Sequence, residues 1–200
     1  MLFLLMFLVS CANHHYEPET PSFSVKVDSI SVTSDKPSFV VLSDMKDVSS
    51  EDLRFKKHAE IVSAALEKSG FTRGNGARPD IIVKLKYSVS EPRKEFQSIS
   101  STNTTYNWHT KRNEFTGSHN TVIDHDMYVR TITLRAINKR NQEVWTTELR
   151  SEGSNSNITE VFPFIVSAGI GHYGSSHVQE VEVPKTPESI SYLRNPASVE

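Results

Sequence analysis

"SSEDLRFKKHAEIVSAALEKSGF" (49–71) is the stretch whose reading decides the fold. Phe55, His58, Ile61, Val62, Ala65, Leu66 and Ser69 recur at helical spacing on one face. Arg54, Lys57, Glu60 and Glu67 lie mostly on the other. Ser49 or Ser50 can cap such a helix, and Glu51 and Asp52 suit its positive N-terminus. Gly70 can end it, with Phe71 folding back on the last turn. A helix with one apolar stripe needs a sheet to lie on.

The segments around it supply that sheet. "FSVKVDSISVTS" (23–34) alternates Phe23, Val25 and Val27 with Ser24 and Lys26, the period of a half-buried strand. "SFVVLSD" (38–44) reads as a buried strand after the turn residues of "SDKP" (34–37). "RGNGARP" (73–79) reads as a loop; its glycines lack the strand–helix context of a phosphate cradle. In "DIIVKLKYSVSEP" (80–92), Ile81, Val83, Leu85, Tyr87 and Val89 oppose Lys84, Lys86 and Ser88.

"MYVRTITLRAINKRNQEVWTTELRSEG" (127–153) reads as a hairpin around "NKRNQ". It sets Tyr128, Ile132 and Leu134 against Trp145, Thr147 and Leu149. "NITEVFPFIVSAGIGHYG" (157–174) reads as an apolar core helix interrupted by Pro163. "SSHVQEVEVP" (175–184) alternates as a last strand. The expected order is β-β-α-β-(arm)-β-β-α-β. That order makes an α+β fold, with two helices on one face of a mainly antiparallel sheet.

The arm is residues 93–122, where Ser, Thr and Asn surround isolated aromatic residues. A structureless loop of that length is unusual in a compact domain, so it reads as two exposed hairpin strands or a mobile arm. Tyr106, Trp108 and Phe115 have the aromatic-plus-small-polar composition of adaptable binding surfaces. Either they form a partner surface for a protein or glycan, or they cover the open face of the sheet as core.

The N-terminus gives an address. "MLFLLMFLVSC" (1–11) is half the length of a membrane span and has no polar face. It fits the apolar region of a signal peptide. Leu8-Val9-Ser10-Cys11 resembles the lipobox of bacterial lipoproteins, in which the Cys is acylated and cleavage falls just before it. No Lys or Arg precedes Cys11, a departure that an upstream start would repair. The absence of Asp at position 12, which is Ala12, resembles outer-membrane sorting. The expected layout is a signal peptide over 1–10, acylated Cys11 with a tether over 11–22, one domain over 23–184, and a loosely held tail over 185–200.

With these elements placed, the chain resembles the DUF4136 family of bacterial envelope lipoproteins over roughly residues 37–183. The resemblance rests on the Gly70-Phe71 pair ending a helix, Asp80 opening a strand, and Val144-Trp145 in a later hairpin. It implies an α+β fold in the envelope and brings no catalytic residues with it.

The residues themselves favour binding over chemistry. The net charge of −2 gives no general attraction to nucleic acid. There is no G-x-S-x-G elbow, and the one cysteine is claimed by lipid, so no catalytic residue and no cofactor is expected. His109, His119 and His125, with Asp124 and Asp126 nearby, are weak candidates for a metal site. They lack ligand spacing, and His14-His15 is weaker still. The expected activity is that of a lipid-anchored binding or scaffold protein with an envelope partner. The alternative is a metal- or small-ligand-binding lipoprotein using the histidines near the arm.

Overall fold

The computed structural model describes residues 21–74 and 79–193. The stretch read as a signal peptide, Cys11, His14-His15, most of the stretch read as a tether, and the end of the tail lie outside the described residues. The elements are β1 (Ser22–Ser31), β2 (Ser38–Ser43), α1 (Leu53–Lys68), β3 (Thr72–Arg73), β4 (Ile81–Val89), β5 (Arg93–Asn107), β6 (Arg112–Asn138), β7 (Glu143–Gly153), α2 (Ile158–Ala168) and β8 (His177–Pro184), followed by a 3₁₀ helix, Glu188–Leu193.

The main sheet runs β3-β2-β4-β6-β7-β1-β8. Its pairings are antiparallel except for β2, which is parallel to β3 and β4. The fold is α+β with two main helices. The hairpin forms as expected, with Ile132 facing Leu149 and Leu134 facing Thr147, but Trp145 faces Ala136 and Tyr128 faces Gly153. Ile132, Leu134, Ala136, Trp145 and Leu149 are buried together with Val25, Val27, Val83 and Leu85 beneath Phe55, Val62, Leu66, Phe162 and Ile165 of the helices.

Both ends of α1 are built by local chemistry. The cap is Asp52, not Ser49 or Ser50: its Oδ1 accepts from the amides of Arg54 and Phe55 at 2.8 and 3.0 Å. Ser50 is committed elsewhere, accepting from the Ser43 amide at 2.9 Å. At the other end Gly70 takes φ +94°, and the amides of Gly70 and Phe71 donate to Glu67 and Leu66 carbonyls. This left-handed glycine cap turns Phe71 back into the core beside Phe39 and Trp145. Asp80 fastens β4 to β2 through Ser38, whose hydroxyl donates to it at 2.6 Å, and Lys139 Nζ lies 2.7 Å away. The Lys139 and Ser38 contacts hold the Asp80 carboxyl at about 2.

Three expectations are corrected here. Arg73 is not loop: it pairs with Phe39 in β3 and bridges Glu60 and Glu67 of α1 at 2.8 and 3.2 Å. Pro163 does not interrupt α2, which runs through it. A proline inside a helix costs about 3 kcal/mol. The burial of Val161, Phe162, Ile165 and Val166 offsets that at roughly 1.5–3 kcal/mol each. Finally, the tail is not loose as far as Leu193. Ile190, Tyr192 and Leu193 pack on the core, and the Tyr192 hydroxyl donates to the Pro163 carbonyl at 2.7 Å.

Candidate contact surface

β6 is 27 residues long, far longer than its neighbours in the main sheet. Only its C-terminal part pairs with β4 and β7; residues 112–127 pair with β5 instead. The arm is therefore a two-stranded ribbon that continues the central strand out of the domain. Fifteen residues of strand span about 50 Å. Phe96 to Thr110 and Phe115 to Ile123 contain no Asp, Glu, Lys or Arg.

The pairing register sorts its side chains. Phe96 opposes Asp124, Ser98 opposes Val122, Thr104 opposes Phe115 and Tyr106 opposes Asn113, so these share one face. Ile99, Ile123, His119 and His125 take the other. A bulge at Thr116 makes this sorting work. Asn103 opposes Gly117, but Thr104 opposes Phe115, and the Thr116 hydroxyl clamps the extra residue to the Asn103 carbonyl at 3.0 Å. Without that extra residue Phe115 would point to the opposite face from Tyr106 and Phe96. By the same alternation, this face continues the even-numbered, helix-covered side of β6, where Arg130, Ile132 and Leu134 are buried.

Nothing within the described residues covers it. Trp108 is 81% exposed, Phe96 70%, Phe115 65% and Tyr106 42%. Seven of the eleven large apolar side chains exposed among the described residues lie in the ribbon formed by residues 93–127. The reading of these rings as a cover for the sheet is thereby corrected: they project beyond the sheet, while α1 and α2 cover its inner face. The tip is held by its own hydrogen bonds. Asn107 Oδ1 accepts from the amides of His109 and Thr110 at 2.9 and 3.3 Å. Asn107 Nδ2 and the Thr110 hydroxyl donate to Glu114 at 2.9 and 2.8 Å. These bonds, Asn107 first, hold the Glu114 carboxyl below the usual range. Trp108 stands out of this turn, its ring 4.8 Å from that of Tyr106 and nearly perpendicular to it.

The histidines do not converge. His109 is in the tip turn, while His119 and His125 oppose Ser101 and Glu95, six residues or about 20 Å apart along β6. Asp124 and Asp126 lie on the opposite face and ion-pair with Lys94 at 3.3 and 2.9 Å. Among the described residues no group of three His, Cys, Asp or Glu could hold a metal.

Two polar groups buried within the domain are His58 and Arg130. His58 stacks on Phe162 at 4.3 Å and meets the edge of Tyr87 at 4.7 Å, with neither ring nitrogen hydrogen-bonded. Burial, then the Lys57 charge, lowers its pKa. Arg130 is 1% exposed and its Nε and Nη1 have no partner, so burial lowers its pKa. Elsewhere, His172 and His177 stack at 4.7 Å, both within reach of Gln179.

A family model for a domain of unknown function, DUF4136, matches residues 20–173, a span that contains the whole arm. The chain belongs to the DUF4136 family. The match begins before β1 and ends before β8, so the last strand and the 3₁₀ helix lie beyond it. No curated protein matches this DUF4136 chain. Among solved structures it is similar to a PDZ domain protein from Parabacteroides distasonis, at 15% identity and TM-score 0.44. That likeness covers 82% of this chain but only 39% of the other. It is also similar to the PelC dodecamer from Paraburkholderia phytofirmans in two crystal forms, each at 12% identity and TM-score 0.38. These cover 76% and 78% of this chain and 99% and 100% of the other.

Proposed function

We propose that this protein is a lipid-anchored component of the bacterial cell envelope, held at the outer membrane on its periplasmic side. Its domain works by contact, as an accessory or scaffold, and the arm is the contact surface. Cys11 carries the lipid, and residues 12–22 set the reach. The observation that carries this reading is the concentration of exposed aromatic side chains on one face of a ribbon that no described residue covers. An isolated two-stranded ribbon is at best marginally stable in water, so a surface that meets it has stability to contribute. The lipobox residues Leu8 to Cys11 support the anchor. At about 0.8 kcal/mol per buried CH₂, stable anchoring takes two or more acyl chains.

The anchor is tested by growing cells on labelled palmitate and recovering the protein. The wild-type chain takes up label and Cys11→Ser takes up none. Equal labelling of the two, or no labelling of either, removes Cys11 as the attachment point.

A further inference from the structure

We infer that the arm's tip seats on the surface of a phospholipid bilayer, giving the protein a second, non-covalent membrane contact that sets how the domain stands. The inference rests on the reading of Cys11 as the anchor for its geometry, and on the tip itself for its chemistry.

The geometry follows from register. Tyr128 opposes Gly153 on β7, and Val25 on β1 opposes Ser151, so the start of β1 lies at the end of the sheet from which the arm leaves. β1 is two strands from β6, so the chain enters the domain about 10 Å to the side of the arm base. Pro21 is ten steps along the chain from Cys11, a reach of at most about 36 Å. The arm spans about 50 Å. A domain anchored through Cys11 therefore presents its arm-bearing end to the membrane. The arm is longer than the tether can extend, so it meets the bilayer at every tether extension and leans over to keep its tip at headgroup level.

The chemistry fits that surface. Tyr106, Trp108 and Phe115 surround the tip, and Lys111 and Arg112 sit in and beside its turn. Tryptophan and tyrosine favour the headgroup layer, where one part of the ring is apolar and one wet, and basic residues favour anionic lipid. The shaft limits the depth. Ser98, Ser100, Thr102, Ser118 and Asn120 occupy the middle of the aromatic face, too polar for hydrocarbon, so contact stays at headgroup level. The hydrogen bonds of Asn107 and Glu114 hold Trp108 outward in advance, which lowers the ordering cost of contact.

The test uses the chain from Ala12 onward, which retains every described residue. It is held by an N-terminal hexahistidine on vesicles of phosphatidylethanolamine and phosphatidylglycerol containing a nickel-chelating lipid. The protein has two tryptophans, and Trp145 is buried, so Trp108 reports the tip. On vesicles, Trp108 emission shifts to shorter wavelength and its quenching by aqueous iodide falls at least threefold. Trp108→Phe abolishes the change, and the Lys111→Glu, Arg112→Glu pair weakens it. If Trp108 stays as open to iodide on vesicles as in solution, the proposal is overturned, and a protein or glycan is left as the arm's partner. The nickel lipid replaces the acyl chains, so this result is independent of Cys11 acylation, which palmitate labelling reads separately.

Discussion

Gly169→Ala is expected to destabilise the fold by about 2–4 kcal/mol, the sum of overpacking and a disturbed buried hydrogen bond. A Cβ at Gly169 would lie 2.3 Å from Tyr173 Cζ and 2.4 Å from its hydroxyl oxygen. Tyr173 is fully buried and donates to the Val166 carbonyl at 2.6 Å, so the ring has nowhere to go without giving up that bond. Backbone conformation is not the cause, because Gly169 has φ −81°, which alanine adopts freely. Gly171→Ala is the contrast. Gly171 has φ +85° and open space around its Cβ position, so only conformational strain of about 1 kcal/mol is expected. Thermal melts should separate the two. Gly169→Ala should fall by roughly 5–15 °C, at the 2–4 °C per kcal/mol of a chain this size, and Gly171→Ala by a few degrees.

The second large effect is expected at Phe162. It is fully buried, stacks on His58 and meets Tyr87 edge-on at 5.6 Å. Phe162→Ala should cost about 3–5 kcal/mol in urea unfolding, through lost burial and the cavity left behind. The cavity would border His58, whose ring nitrogens have no partner. Water entering there would hydrate the imidazole and raise its lowered pKa towards the ordinary value. Phe162→Leu keeps most of the volume and should lose less than half as much.

How legible these features were depends on what each segment buries. Helix α1 could be read because its stripe, cap region and Gly70-Phe71 ending all point one way. The inner face of the β6–β7 hairpin could be read because alternation fixes which residues share it, but alternation leaves the register open, and Trp145 opposes Ala136 and Tyr128 opposes Gly153. Arg130 shows the limit of residue type as a guide. Its even position in "YVRTITL" (128–134) puts it on the inner face with Ile132 and Leu134, while its charge argues for the outside. Alternation prevailed, because turning one residue of a paired strand would turn them all.

The 3₁₀ helix has no signature in the sequence, because Ile190, Tyr192 and Leu193 follow no strand or helix period, and three side chains suffice to dock it. The arm is ambiguous in the sequence for a different reason. Its strands bury nothing, so no apolar alternation marks them, and isolated aromatics among Ser and Thr fit a covered or a bare surface equally. The bulge at Thr116 carries no sequence signal beyond the neighbouring Gly117. Yet that single extra residue puts Phe115 on the same face as Tyr106 and Phe96.

The central claim is that this face meets a surface outside the chain, and that the surface is lipid. The most direct measurement replaces Trp108 with p-benzoylphenylalanine in the full-length protein and irradiates intact cells. The account predicts an adduct between position 108 and phospholipid, identified by mass spectrometry of the arm peptide. An adduct to a protein, or none at all, would contradict it.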